Sequence, residues 1–99
     1  MTRSTIAKRL AKFTGSKTSI AYQVAKDLAT GENKSCKIYG NIIRPVHTSG
    51  TGRFTSNLDY TNDCVAMLTF LKLKLETGND SPRGGLTGNF IKIITKIAS

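Results

Sequence analysis

The residues able to do covalent or metal chemistry are few and scattered. His47 is the sole histidine, and Cys36 and Cys64 are the two cysteines. A metal centre needs several ligands at characteristic short spacings, and a nucleophile needs a base it can reach; these three residues offer neither pattern. The six carboxylates form no close pair of the kind that general acid–base catalysis uses. Gly84, Gly85 and Gly88 lie in a loop, but no Gly-Lys-Ser or Gly-Lys-Thr follows a glycine at the spacing of a phosphate-cradling loop. The expectation is a non-enzymatic protein with no metal and no cofactor.

The chemistry the chain does hold is cationic. Fifteen Lys and Arg face six Asp and Glu, a net charge of +9 on 99 residues. The excess is lopsided. Residues 1–53 carry ten basic and two acidic side chains, and residues 54–99 carry five and four. Such asymmetry points to a charged face and a polyanionic partner. The leading expectation is nucleic acid, DNA favoured over RNA. The alternative is a protein-binding module, a viral-type inhibitor or adaptor or an assembly linker, docking on an acidic protein or nucleoprotein surface.

A chain of this length supports one domain and one modest core. Ile6, Leu10 and Phe13 form a helical stripe over residues 3–13. Gly15 suits a left-handed helix end and Ser16 the cap of a second helix. Ile20, Val24 and Leu28 mark that helix over 17–29, ended by Thr30-Gly31. Residues 36–46 read as a strand, with Pro45 at its end or on an edge. Residues 48–52 form a turn, and 53–60, with Phe54, Ser56, Leu58 and Tyr60 on one side, return as a strand.

Two periods compete over 64–76. Thr61-Asn62-Asp63 could cap a helix, and Leu68, Leu71 and Leu75 fit helical spacing. Leu71, Leu73 and Leu75 also alternate with Lys72 and Lys74, which favours a strand over 66–76. Residues 77–88 read as a Gly-rich loop and 89–97 as a strand with Ile91, Ile93 and Ile97 on one face. The fold class is α+β: two N-terminal helices packed on an antiparallel sheet of three to four strands.

The stretch from Ile6 to Val24 resembles a helix-turn-helix, in which the second helix enters the major groove. The resemblance covers about 20 of the 99 residues. It implies that Lys17, Thr18, Gln23 and Lys26 approach bases or phosphates. Lys8, Arg9 and Lys12 would then lie along the backbone. Arg3, Lys37, Arg44 and Arg53 complete the expected nucleic-acid-binding residues of the basic half. A secondary basic face comes from pairing 66–76 with 89–97, which would align Lys72, Lys74, Lys92 and Lys96 opposite the leucines and isoleucines. Arg83 stands at a loop tip between Pro82 and Gly84. Tyr22, Tyr39, Phe54 and Tyr60 are candidates for base stacking, Phe54 beside Arg53 first among them.

No run of roughly 18 apolar residues could span a bilayer, and Met1 to Leu10 lack the apolar stretch of a secretory signal. The expected location is cytoplasmic or otherwise intracellular, with thiols free.

Overall fold

The computed structural model describes residues 1–32, 37–44, 57–83 and 88–98. Helix α1 (Arg3–Leu10) starts at Thr2, whose hydroxyl accepts from the Thr5 amide at 3.2 Å. That contact satisfies one of the first-turn donors. Ile6 and Leu10 are buried and Phe13 is half-buried, as the stripe predicts. The amides of Lys12 and Phe13 donate to Arg9 and Leu10, three residues back. This tightening closes the helix before residue 13.

Helix α2 (Ile20–Thr30) is capped by Ser19, which accepts from the Tyr22 amide at 3.1 Å; Ser16, the expected cap, instead shares a hydroxyl–hydroxyl contact with Thr18. Gly31 ends α2 in the left-handed conformation at φ 81°, its amide donating to the Asp27 carbonyl at 2.8 Å. Gly15 is not left-handed. Its smallness serves a close approach, because a Cβ there would stand 2.5 Å from Cζ of Phe13.

Within the expected strand over 36–46, the described residues 37–44 form a hairpin. Strand β1 (Lys37–Tyr39) pairs antiparallel with β2 (Ile42–Arg44), Tyr39 opposite Ile42. Gly40 and Asn41 make the two-residue turn, with Gly40 at φ 61°. A positive φ at the first central position alone is the II′ pattern, for which glycine is the natural choice. Pro45 to Ser56 lie outside the described residues, and with them the expected turn, His47, Arg53 and Phe54.

Helix α3 (Asn57–Phe70) overturns two expectations. Residues 57–60, read as strand, are its first turn, and 66–70, also read as strand, are its last. Thr61, Cys64, Leu68 and Leu71 are buried along one side, the helical stripe that the alternating leucines obscured. The alternation has another cause. The Leu73 amide donates to Leu68 at 3.0 Å and the Lys72 amide to Thr69 at 2.9 Å, with Lys72 at φ 62°. This is a Schellman cap, in which the residue beyond the left-handed one packs back on the last turn. Leu71 and Leu73 are therefore both buried, one as the end of the helix and one as its cap.

Strand β3 (Leu75–Asn79) follows, and β4 (Asn89–Ile93) pairs with it antiparallel, Leu75 opposite Ile93 and Thr77 opposite Ile91. Residues 77–79, read as loop, thus belong to the sheet. Its order is β1-β2-β4-β3, every neighbour antiparallel. Ile43, Ile91 and Ile93 are buried on the inner face. Helix α3 covers that face, α2 packs on α3, and α1 on α2, so the N-terminal helices reach the sheet largely through α3. One cluster of buried side chains runs from Ile6 to Ile93.

The two ends of the chain close on each other. Thr2 and Ala98 form a parallel bridge, Arg3 donates to Ala98 at 3.0 Å, and Ala98 donates to Met1 at 2.7 Å. Among the described residues, no helix is long and apolar enough to cross a membrane. Cys64 is buried in the core, and Cys36 lies outside the described residues.

Candidate functional site

The arginines and lysines have different fates. Arg3 Nη1 donates to the Leu28 carbonyl at 2.7 Å, and Arg9 Nη1 donates to the Leu71 carbonyl at 2.9 Å. Both carbonyls lie at helix C-terminal ends, of α2 and α3. Orphan carbonyls and the negative end of the helix dipole favour a cation there. A planar guanidinium can donate to one carbonyl while its stem packs, so these two residues are tied into the fold. Arg3 also lies under Gly31, where a Cβ would meet its Cζ at 3.3 Å.

Lys8, Lys12, Lys17 and Lys26 are exposed. Lys8 lies on the side of α1 away from Ile6 and Leu10, Lys12 follows in the turn just beyond the helix, and Lys26 lies on the outer side of α2. No carboxylate occurs before Asp27, and Asp27 is only 3% exposed. Thr18 is exposed in the connection, its hydroxyl 3.1 Å from that of Ser16. Gln23 reaches back so that Nε2 donates to the Lys17 carbonyl at 3.1 Å. The side-chain amide that was to read bases instead holds Lys17 over the start of α2. Nine residues, 11–19, separate the two helices. A helix-turn-helix uses a turn of about three or four, so the resemblance does not extend to its geometry.

The sheet's outer face is mixed in charge. Arg44 donates through both terminal nitrogens to Asp80, a bidentate ion pair, and its guanidinium carbon is 5.8 Å from the Phe90 ring centroid. The hydrogen bonds from Arg44 hold the Asp80 carboxyl below the usual carboxylate range, and the same contact raises Arg44. Phe90 lies across Gly78, where a Cβ would stand 2.6 Å from its Cζ. Lys92 sits opposite Glu76 in the register. Lys74 is exposed beside it, and Tyr39 is 57% exposed on the edge strand. Lys37 is paired with Arg44 in the ladder.

The four lysines of the expected secondary face do not form one row. Lys74 and Lys92 flank Glu76, Lys72 occupies the helix cap, and Lys96 lies beyond β4. Arg83 is exposed in the β3–β4 connection, and Arg53 lies outside the described residues.

Two concavities adjoin these surfaces. A cleft of about 590 Å³ at the C-terminal end of α2 has Arg3 and Lys96 among its walls, together with Asp27 and Glu32. Its charges balance. A smaller groove of about 270 Å³ lies between the 13–19 connection and α3, lined by Phe13, Ser19, Ala21, Asp63, Ala66, Met67 and Phe70. The Phe13 ring stacks on Tyr22 at 5.8 Å and meets Phe70 edge-on, also at 5.8 Å. The sequence reading passed over Phe13 and Phe70 as stacking candidates. No spacing rule links two rings contributed by different helix ends.

Among the described residues, no group of three or more His, Cys, Asp and Glu could hold a metal ion. Neither a protein-family model, nor a curated protein, nor a solved structure matches the chain.

Proposed function

We propose that this protein binds nucleic acid through the exposed surface of α1, α2 and their connection, with Lys8, Lys12, Lys17 and Lys26 on the phosphate backbone. One observation carries the reading: four solvent-facing lysines share a 26-residue stretch that contains no carboxylate. Phosphate contacts need mobile cations with no competing anion nearby. Each one releases condensed counterions and so makes affinity depend on salt.

Recognition of this kind reads charge and backbone more than sequence. With Gln23 bonded to the Lys17 carbonyl, the surface presents mainly ammonium groups and the hydroxyls of Ser16 and Thr18. Lysine suits this role because it acts as a flexible point charge without a fixed partner geometry.

The test is affinity for a random duplex and for a single strand across a salt series. Four phosphate contacts predict a log–log slope of about −3.6 on duplex DNA. A flat response, or no binding at low salt, overturns the reading. A protein partner recovered at fixed stoichiometry after nuclease treatment, with no nucleic-acid affinity, replaces it with docking on an acidic protein.

A further inference from the structure

We infer that the groove between the 13–19 connection and α3 receives an unstacked base of a single strand, with Phe13 and Phe70 as its stacking surface and Lys12 and Lys17 on the flanking phosphates. The inference rests on the nucleic-acid reading above and specifies what that surface takes.

Phe70 ends α3 yet remains 44% exposed, although Leu68 and Leu71 beside it are fully buried. The edge-on meeting of its ring with Phe13 leaves apolar surface open to the groove. Met67 and Ala21, both buried, make the floor. The Phe13 ring is fixed on two sides, by Tyr22 stacked on it and by Gly15 beneath its tip. A preset ring costs little to order when a flat ligand arrives.

The charges around the groove select among occupants. Lys12 directly precedes Phe13, and Lys17 lies two residues before Ser19, so both ends of the connection that forms the wall carry an exposed cation. Asp63 lines the groove itself. A carboxylate there repels a phosphate or an acidic side chain entering the groove, but it accepts hydrogen bonds from N–H groups. The carboxylate within and the cations at the rim suit a ligand that is flat and N–H-bearing inside and anionic outside. A nucleotide base with its backbone has that distribution. A duplex keeps its bases stacked, whereas a single strand can offer them.

The experiment measures fluorescence-labelled oligonucleotides, one single-stranded and one duplex, each of roughly 12 nucleotides or base pairs per strand, against the wild type, Phe70→Ala and Phe70→Trp. Loss of one stacked base predicts about tenfold weaker single-strand binding for Phe70→Ala, with duplex affinity and salt slope unchanged. Phe70→Trp retains or improves single-strand binding. Gly15→Ala, which must displace the Phe13 ring, weakens single-strand binding while α1 and α2 persist by circular dichroism. Ultraviolet crosslinking of a 5-bromouracil oligonucleotide places adducts on peptides containing Phe13 or Phe70.

Unchanged single-strand affinity in Phe70→Ala overturns the groove while leaving the lysine surface intact. Equal losses on single strand and duplex overturn it as well. Absence of any binding by the wild type at low salt overturns the underlying reading, and the groove with it.

Discussion

On α1, α2 and their connection, Lys8, Lys12, Lys17 and Lys26 face solvent from a stretch with no carboxylate before Asp27. On the outer face of the sheet, Arg44 is clasped by Asp80, and Lys92 stands opposite Glu76. Both regions are rich in cations, but only in the first does the stretch of chain that carries them hold no carboxylate of its own; Asp63 of α3 lines the adjoining groove. A paired cation on a surface contributes little to the field a ligand meets, because its partner cancels it at distances beyond the pair. What marks a polyanion surface is therefore the absence of interleaved acids, more than the number of bases. The arginines add a second lesson. Arg3, Arg9 and Arg44 all serve internal contacts, whereas the lysines of the helix pair are left to solvent.

The comparison breaks most visibly in binding. Changing Lys8, Lys12, Lys17 and Lys26 together to Ala should lower affinity for duplex DNA by about 100- to 1,000-fold near 0.1 M salt and flatten the salt slope by about 3.6. Lys74→Ala with Lys92→Ala should change affinity by less than about threefold. A larger effect from the sheet pair in a salt titration would reverse the assignment of the two faces.

The next contrast is between arginine and lysine on one helix. Arg9→Ala should destabilise the fold by about 1–2 kcal/mol, since it removes a charged donor from the Leu71 carbonyl. Lys8→Ala should stay within about 0.5 kcal/mol. Denaturant midpoints of the two variants decide it, and equal midpoints would deny Arg9 its capping role.

Lys72 offers a smaller effect of opposite sign. It holds φ 62° at the end of α3, where a residue with a Cβ costs about 1–2 kcal/mol. Glycine there recovers part of that, so Lys72→Gly should stabilise the fold by about 0.5–1 kcal/mol with binding unchanged. A lower thermal midpoint would contradict the left-handed cap.

The smallest effect belongs to the sheet face. Asp80 has a depressed pKa in the folded protein because Arg44 hydrogen-bonds its ionised form. The contribution of this pair is present above the unfolded carboxylate range, near pH 3.9. It is lost as pH falls through the lower folded value. Asp80→Asn should make the acid limb of stability against pH shallower, modestly because both groups are exposed and screened. An unchanged acid limb in urea midpoints between about pH 2 and 5 would show that the pair contributes nothing.

Much of the helix pair was legible in the chain because local rules suffice there. Ile6 and Leu10, and Val24 and Leu28, are buried at the spacing that a helix requires, and Gly31 stops α2 in the conformation glycine permits. The reading failed at 57–76, where Leu71, Leu73 and Leu75 imitate a strand. Their alternation comes from a helix end, a reversed cap and the first residue of β3 in succession. Periodicity averages over a window and cannot see a change of structure within five residues. The Gly40-Asn41 hairpin was hidden for a related reason, since two three-residue strands with a two-residue turn resemble one long β-rich run.

The sequence by itself determined the α+β class, the two N-terminal helices, the strand carrying Ile91 and Ile93, and the carboxylate-free basic stretch, because propensity, spacing and charge are local properties. Tertiary structure decided which cations remain free. Arg3 and Arg9 lie within the same basic stretch as Lys8 and Lys12, yet they reach helix carbonyls far away in the chain. It also decided where Phe13 and Phe70 meet. Both outcomes depend on how helices are stacked on one another, and residue spacing along the chain carries no record of that.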